Sequence, residues 1–441
     1  MLKKISTLTT LAILCSNMSF ADKKLCSFNT FDILVGGEFN AELGGRVQSG
    51  KYTKADTGIL SGGSASNVIS KQGVTANNKN LGMDSFASAH ATVQNMSNSN
   101  FSYGAHVGIK TTTRSNERSG ESELDRSYVF AQGEEWGKFE LGSNEGAANA
   151  MAITGTNTDV GKGTWEKYVS LNTYASSSNF QTLQVRGSNF LTSARLALEE
   201  STYETNHEAF RKVTYYTPKI NGFQVGLSYI PDATNKGGNA VYPNQNNTQE
   251  ADTKNAFSGG ITWGKSFAKN HNINIALVGE IGQKKSASAS APDTQKGLFH
   301  RSEAFILGAK YVKDKMSMAL AYGNRGKTGF KKNITKDSSS GVPITPGNSY
   351  FWNLGGAYEL TTKTTTSLTY LHSVNNKNTL DVIYLGADYK ITNGLKTYAE
   401  TSYFKGTQKR DYNAATLPII TTNQKFKITG GTIITGIQVT F

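Results

Sequence analysis

The stretch IITGIQVTF at residues 433–441 alternates strictly. Ile433, Thr435, Ile437, Val439 and Phe441 share one face, and Ile434, Gly436, Gln438 and Thr440 the other. A period of two belongs to β-strands, whose successive side chains point to opposite faces, so this segment reads as a strand greasy on one side and small or polar on the other. The rhythm recurs in Phe223, Val225, Leu227 and Tyr229 against Gln224, Gly226 and Ser228, and in Ile273, Ile275, Leu277 and Ile281 against Asn272, Asn274 and Glu280. Trp352, Leu354, Tyr358 and Leu360 against Asn353 and Glu359 repeat it once more. Composition agrees, since 45 Gly, 20 Tyr and 21 Phe against 7 Pro suit strands and polar loops and exclude an all-α chain. With 10% aromatic and only 18% charged residues, the chain is not intrinsically disordered.

The first residues stand apart from this pattern. Lys3 and Lys4 precede an apolar stretch from Leu8 to Leu14, and Ser19-Phe20-Ala21 places small residues where a signal peptidase reads, so residues 1–21 are expected to be a secretory signal peptide cleaved after Ala21. Leu14 is bulkier than a lipoprotein site tolerates before Cys15. The remaining domain, 22–441, keeps Cys26 alone, which excludes an internal disulfide. Loss of Lys3 and Lys4 lowers the formal charge from +13 to +11.

Beyond the leader no stretch approaches the ~18 to 20 consecutive apolar residues of a membrane-spanning helix. A transmembrane barrel needs only ~9 to 11 alternating residues per strand. Strands are expected near residues 32–48, 83–94, 101–113, 126–133, 138–144, 211–217, 222–231, 256–267, 272–282, 303–312, 316–324, 350–360, 365–373, 380–390, 395–404 and 425–441. Connections alternate in length: residues 96–100, 134–137, 219–221, 268–271, 313–315 and 392–394 are tight turns, whereas 51–81, 233–255, 284–301 and 327–348 are long and rich in Ser, Asn, Lys and Gly. Several strands also begin or end with an aromatic on the greasy face, as an interfacial girdle requires. A soluble β-sandwich shares the alternation but has no reason to sort its loops by length. The reading is an all-β, antiparallel transmembrane barrel of 16 strands, with short periplasmic turns and long extracellular loops.

Five segments resemble a known family: FDILVGGEFN, DRSYVFAQGEEWGKFELGS, VTYYTPKINGFQVGLSYIPD, YLGADYKITNGLKTYAETSYF and the terminal TGIQVTF. They are similar to the Gram-negative trimeric general porins. The resemblance implies a sixteen-stranded homotrimeric barrel in the outer membrane with a passive water-filled pore, narrowed by a third loop folded into the lumen. It also implies outer-membrane lipid and lipopolysaccharide around the barrel, and a barrel-assembly machinery that reads the final aromatic, Phe441. The chain departs from the family where Ser143 and Asn144 follow the strand that often carries an Arg, and in lacking a Pro-Glu-Phe-Gly-Gly-Asp loop motif.

By this alignment the constriction loop covers residues 145–210. FQTLQVRG and LTSARLALEE within it could form an internal hairpin or two further barrel strands, leaving 18 strands and a substrate-specific channel as the alternative. No cofactor or metal is expected, because the six histidines, His90, His106, His207, His271, His300 and His372, lack ligand spacing. GNRGKT at 323–328 has Ala321 where a phosphate loop needs Gly, and no Gly-x-Ser-x-Gly elbow occurs, so no enzyme is expected. Nucleic acid is not an expected partner of an exported chain whose Lys and Arg are dispersed.

Taking Val35, Phe39, Leu43 and Val47 as lipid-facing leaves Glu38, Glu42 and Arg46 inside; Phe101, Tyr103, Val107 and Ile109 outside leave His106 and Lys110 inside. A one-residue slip would invert these assignments. The resemblance implies a transverse field at the constriction, with Arg46 and Lys110 on the basic wall against Glu145, Asp159 and Glu166 on the loop. Solvated faces of a wide lumen are the plainer account of the same charges. The expected function is diffusion of ions and small hydrophilic solutes with a weak anion preference; a barrel-based surface adhesin or a barrel hydrolase are the competing readings.

Overall fold

The computed structural model describes residues 23–28, 31–53, 78–98, 100–112, 123–162, 165–168, 190–198, 210–233, 253–268, 270–284, 300–328, 347–411 and 423–441. Seventeen strands form a single antiparallel sheet: β1 (Lys23–Phe28), β2 (Phe31–Thr53), β3 (Asn78–Asn98), β4 (Phe101–Thr112), β5 (Glu123–Gly133), β6 (Gly137–Ser143), β7 (Arg211–Tyr216), β8 (Phe223–Asp232), β9 (Thr253–Ala268), β10 (His271–Lys284), β11 (Ser302–Lys313), β12 (Met316–Gly326), β13 (Ser349–Glu359), β14 (Thr364–Asn375), β15 (Asn378–Thr392), β16 (Leu395–Asp411) and β17 (Asn423–Thr440). Each strand from β2 to β17 pairs with its neighbours in sequence, and β17 pairs back onto β2 with Thr440 opposite Glu38. The ring therefore closes on sixteen strands and leaves no unpaired edge for lipid to meet.

The eighteen-strand alternative fails on pairing. β6 lies directly against β7, with Leu141 opposite Val213, and its other edge is filled by β5, so nothing between 145 and 210 can enter the ring. The sequence FQTLQVRG and the leader, 1–21, lie outside the described residues. β1 was not expected. It pairs with the edge of β2 below the point where β17 stops, with Lys23 opposite Val35.

Faces follow the alternation. Phe39, Leu43 and Val47 point outward with Leu81, Met83 and Ile433, of which the last three are more than two-thirds exposed (75%, 79% and 71%). Lipid is the solvent that makes such an apolar exterior stable. Aromatics collect at both ends of this band: Phe101 with Trp136 and Phe223 with Trp263 on the short-turn rim, Tyr229 with Phe257 and Trp352 with Tyr370 on the other. The inward positions are polar or small, including Asn40, Glu42, Thr214, Ser228, Ser258, Asn353 and Thr432. Tight turns are made by residues that tolerate positive φ, Asn221-Gly222, Asn270, Asp314 and Gly394. One short connection, through Asn376, falls on the long-loop rim. A buried apolar cluster lies inside the barrel, where Phe190, Leu191 and Leu196 from the β6–β7 segment meet Phe351, Leu380, Phe404 and Ile428 of the wall.

Candidate functional site

The described parts of the segment between β6 and β7, residues 144–162, 165–168 and 190–198, lie along the inner wall. The segment begins with helix α1 (Ala147–Met151), whose first amide donates to Ser228 Oγ at 2.8 Å. A 3₁₀ turn, Gly155–Thr158, follows against β12 to β14, capped by Asn157 Oδ1, which accepts from the Thr154 amide at 2.5 Å. Gly155 N donates to Asn353 Oδ1 at 3.1 Å, Val160 N to Ser367 Oγ at 3.0 Å and Gly161 N to Asp388 Oδ1 at 2.7 Å; Tyr384 donates its hydroxyl to the Val160 carbonyl at 2.7 Å. Lys162 then reaches β2, its ammonium 2.9 Å from both carboxylate oxygens of Glu38, while its amide donates to Glu400. Helix α2 (Trp165–Tyr168) stacks Trp165 on Phe404 of β16, ring centroids 5.9 Å apart. The return passes Ser373, which donates to the Leu191 carbonyl at 2.6 Å, and Glu280, which accepts from the Leu198 amide at 2.6 Å.

Glycines on the wall make this course possible. A Cβ on Gly226 would strike Met151, on Gly308 the Ile153 carbonyl, on Gly355 the Gly155 carbonyl, on Gly386 the Val160 carbonyl and on Gly44 the Tyr168 ring. All five sit at inward positions of their strands, so the wall carries a glycine track on which the segment's backbone lies. Sequence reading missed it. The available signal was glycine recurring at inward parity in FQVGLSY, FILGAKY, WNLGGAY and VIYLGADY.

The predicted residues fall as follows. Arg46 faces the lumen and donates from Nη1 to the Tyr168 carbonyl at 3.0 Å, which places it beside the helix that carries Glu166. The Glu166 side chain lies outside the described residues. Tyr168 donates its hydroxyl to Glu42 Oε1 at 3.1 Å, and burial together with the Glu42 charge keeps that hydroxyl protonated far above the usual tyrosine range. Lys110, inward on β4, is 3.5 Å from Asp125. Glu145 accepts from the Asn149 side chain, and Asp159 turns to the wall and accepts from Thr369. Burial raises the Asp159 carboxyl to about 7, against the Thr369 hydrogen bond that lowers it and with the Glu400 charge adding to the rise. Phe441 exchanges two backbone hydrogen bonds with Gly37, at 3.0 and 3.1 Å, at the seam of the barrel. The structure thus brings Arg46 to α2 and seats Asp159 on β14, while Lys110 stands on a different stretch of wall.

The chain is similar to uncharacterized proteins of Rickettsia conorii, 28% identical over 385 residues, and Rickettsia typhi, 27% identical over 385 residues, each match covering 78% of this chain and 83% of the relative. Among solved structures it is similar to the anion-selective porin from Comamonas acidovorans, with TM-score 0.50 and 13% identity over 93% of this chain and 100% of that one. A Salmonella typhi OmpF structure gives TM-score 0.49 at 10% identity, over 94% and 99%. The family model described as Gram-negative porin matches residues 8–409. A closed sixteen-strand ring, an apolar exterior, a polar lumen and a match over nearly the whole chain lead to one conclusion: the chain belongs to the Gram-negative porin family, whose members form channels through the outer membrane.

Proposed function

We propose that this porin passes ions and small hydrophilic solutes by passive diffusion through a lumen that the 145–210 segment narrows. The observation that carries the reading is the seating of residues 147–162 on the glycine track inside the ring, fastened at Ser228, Asn353, Ser367, Asp388 and Glu38. A segment held at so many points occupies part of the cross-section permanently. Arg46 and Lys110 on the wall and Glu145, Asp159 and Glu166 on the segment set the charge of the passage. With Asp159 half protonated near neutrality, the acidic side is weakened, and a formal charge of +11 after removal of residues 1–21 favours anions weakly.

The reading includes export by the 1–21 leader, assembly through the terminal strand with Phe441, and a homotrimer bounded by outer-membrane lipid and lipopolysaccharide. Liposome swelling with sugars of rising size tests the diffusion claim. Rates should fall steeply with solute size and should rise for large sugars when residues 147–168 are deleted. Swelling that ignores this deletion would show that the segment does not limit the pore.

A further inference from the structure

We infer that the outward face of β16, β17, β2 and β3 at the long-loop rim docks phosphorylated headgroups of outer-membrane lipid on a cluster of lysines. Lys51, Lys79, Lys405, Lys409, Lys425 and Lys427 are scattered through the sequence, and the strand register gathers them. Lys405 stands opposite Thr429, Lys409 opposite Lys425, Lys427 opposite both Thr407 and Lys51, and Lys79 opposite Val47. Direct antiparallel partners share a face. Here it is the face of Tyr403, Ile433 and Val47, all more than half exposed on the exterior of the ring. The apolar band therefore ends, on these four strands, in a basic patch.

The six lysines meet two acids at the same parity, Asp381 on β15, opposite Lys405, and Asp411 at the end of β16. Asp381 is already engaged, accepting from the Tyr370 hydroxyl at 2.7 Å and lying 2.8 Å from His372 Nδ1. Like charges directly opposite on neighbouring strands destabilise a sheet, and Lys409 with Lys425 and Lys427 with Lys51 are two such pairs. An anion between them turns the repulsion into attraction. Lys405 and Lys427, both exposed, are diagonal neighbours, a spacing of roughly 7–8 Å that seats one phosphate between two ammonium groups. Ser49 and Thr429 hold their hydroxyls 3.0 Å apart beside them, so whichever donates leaves the acceptor's own hydrogen for a phosphate oxygen. Position selects lipid as the source of that phosphate. The patch continues the lipid-facing surface beyond Tyr403 and Ile433, and a lysine lays its four-carbon stem along such a surface while its ammonium reaches the headgroup layer. The cross-strand row through Lys405 and Asp381 runs on through His372 to Trp352 of the aromatic girdle.

This inference rests on the outer-membrane porin reading, and the test separates the two because the patch lies outside the lumen. The folded, full-length protein in detergent is titrated with phosphatidic acid or phosphatidylcholine, and bound lipid is counted by native mass spectrometry. Phosphatidic acid should bind at least about tenfold more tightly than phosphatidylcholine, and raising NaCl from about 0.1 to about 0.5 M should weaken it. The double variant Lys405→Gln/Lys427→Gln should bind it about thirtyfold more weakly, whereas Lys405→Arg/Lys427→Arg should keep it. Lys254→Gln/Lys313→Gln removes the same charge from exposed positions elsewhere and should leave binding unchanged. Equal binding of the two lipids by the wild type, the result of a face sealed against a second copy, would overturn the proposal. So would wild-type affinity in the Lys405→Gln/Lys427→Gln variant, or an equal loss in the Lys254→Gln/Lys313→Gln control. Displacement of phosphatidic acid by inorganic phosphate at equal concentration would show a free-ion site and overturn the lipid assignment. If the glutamine variant fails to fold, the lipid preference and salt dependence of the wild type decide alone. If the wild type gives no current steps in a planar bilayer, the channel reading fails instead, and the lipid titration still decides the patch.

Discussion

Lys162 of the lumenal segment and Glu38 of β2 are 124 residues apart in sequence, and the ammonium lies 2.9 Å from both carboxylate oxygens. The contact ties the far end of a segment that starts at β6 to the strand at the barrel seam. Hydrogen bonds between charged, partly buried groups contribute about 1.5–3 kcal/mol each when a partner is lost. Lys162→Met should therefore free the segment locally without opening the barrel. The expected signature is added current noise and sub-conductance states, with an unchanged heat-modifiable trimer on gels. Quiet single-level steps from the variant would show that the tie does not hold the segment.

Gly308 tests the glycine track. A methyl group there meets the Ile153 carbonyl, and overpacking of this kind costs typically ~1–3 kcal/mol. Gly308→Ala should lift the segment from β11 and make residues 147–162 more open to limited proteolysis. Gly356→Ala, where the added carbon touches nothing closer than 3.7 Å, is the matched control and should resist cleavage like the wild type.

Asp159 predicts a pH dependence with a definite sign. Its folded pKa, about 7, lies above the ordinary 3.8, so the folded protein holds this proton over the interval between them, and stability from this group declines as pH rises from about 4 to about 7. Selectivity follows the same titration. Below pH 7 the carboxyl is neutral and the anion preference should strengthen; above pH 7 it should weaken. Reversal potentials in a salt gradient at pH 5.5 and 8.5 should differ in the wild type and converge in Asp159→Asn.

Arg46 and Lys110 carry the basic side of the passage in this account. Replacing both by Glu should shift the reversal potential toward cations at moderate salt, because charges inside a low-dielectric wall are screened less than those on outer loops. An unchanged reversal potential would place both residues away from the narrow section.

Phe441 closes the ring. Its backbone pairs with Gly37, and its ring lies over that glycine, where a Cβ would come within 2.7 Å of the ring edge. An aromatic covering a cross-strand glycine supplies packing that the glycine cannot, and loss of the seam leaves backbone groups unsatisfied in lipid. Phe441→Asp should cut the amount of inserted trimer strongly while leaving the conductance of whatever inserts unchanged. Normal trimer yield would count against the seam argument.

How far the molecule was readable depended on the range of the contacts involved. Phe39, Leu43 and Val47 outside and Glu42 and Arg46 inside follow from a period of two, which is a local property, so parity alone assigned the wall correctly. The six-residue strand β1, KKLCSF, carries no alternation and was missed. The path of the lumenal segment was illegible because its anchors, Ser228, Asn353, Asp388 and Glu38, lie far away in sequence, and because an inward glycine looks like any turn glycine until the strand register is known. The contacts of His106 with His90, rings 5.3 Å apart, and with Tyr128, 5.0 Å apart, were hidden for the same reason: three residues on three strands meet only once the register sets them side by side.

The most direct test of the central claim is the current carried by the purified protein in a planar lipid bilayer. Discrete, ohmic conductance steps are expected, scaling with salt concentration and growing when residues 147–168 are removed from the lumen. Membranes that stay silent although folded, heat-modifiable protein has inserted would contradict that claim.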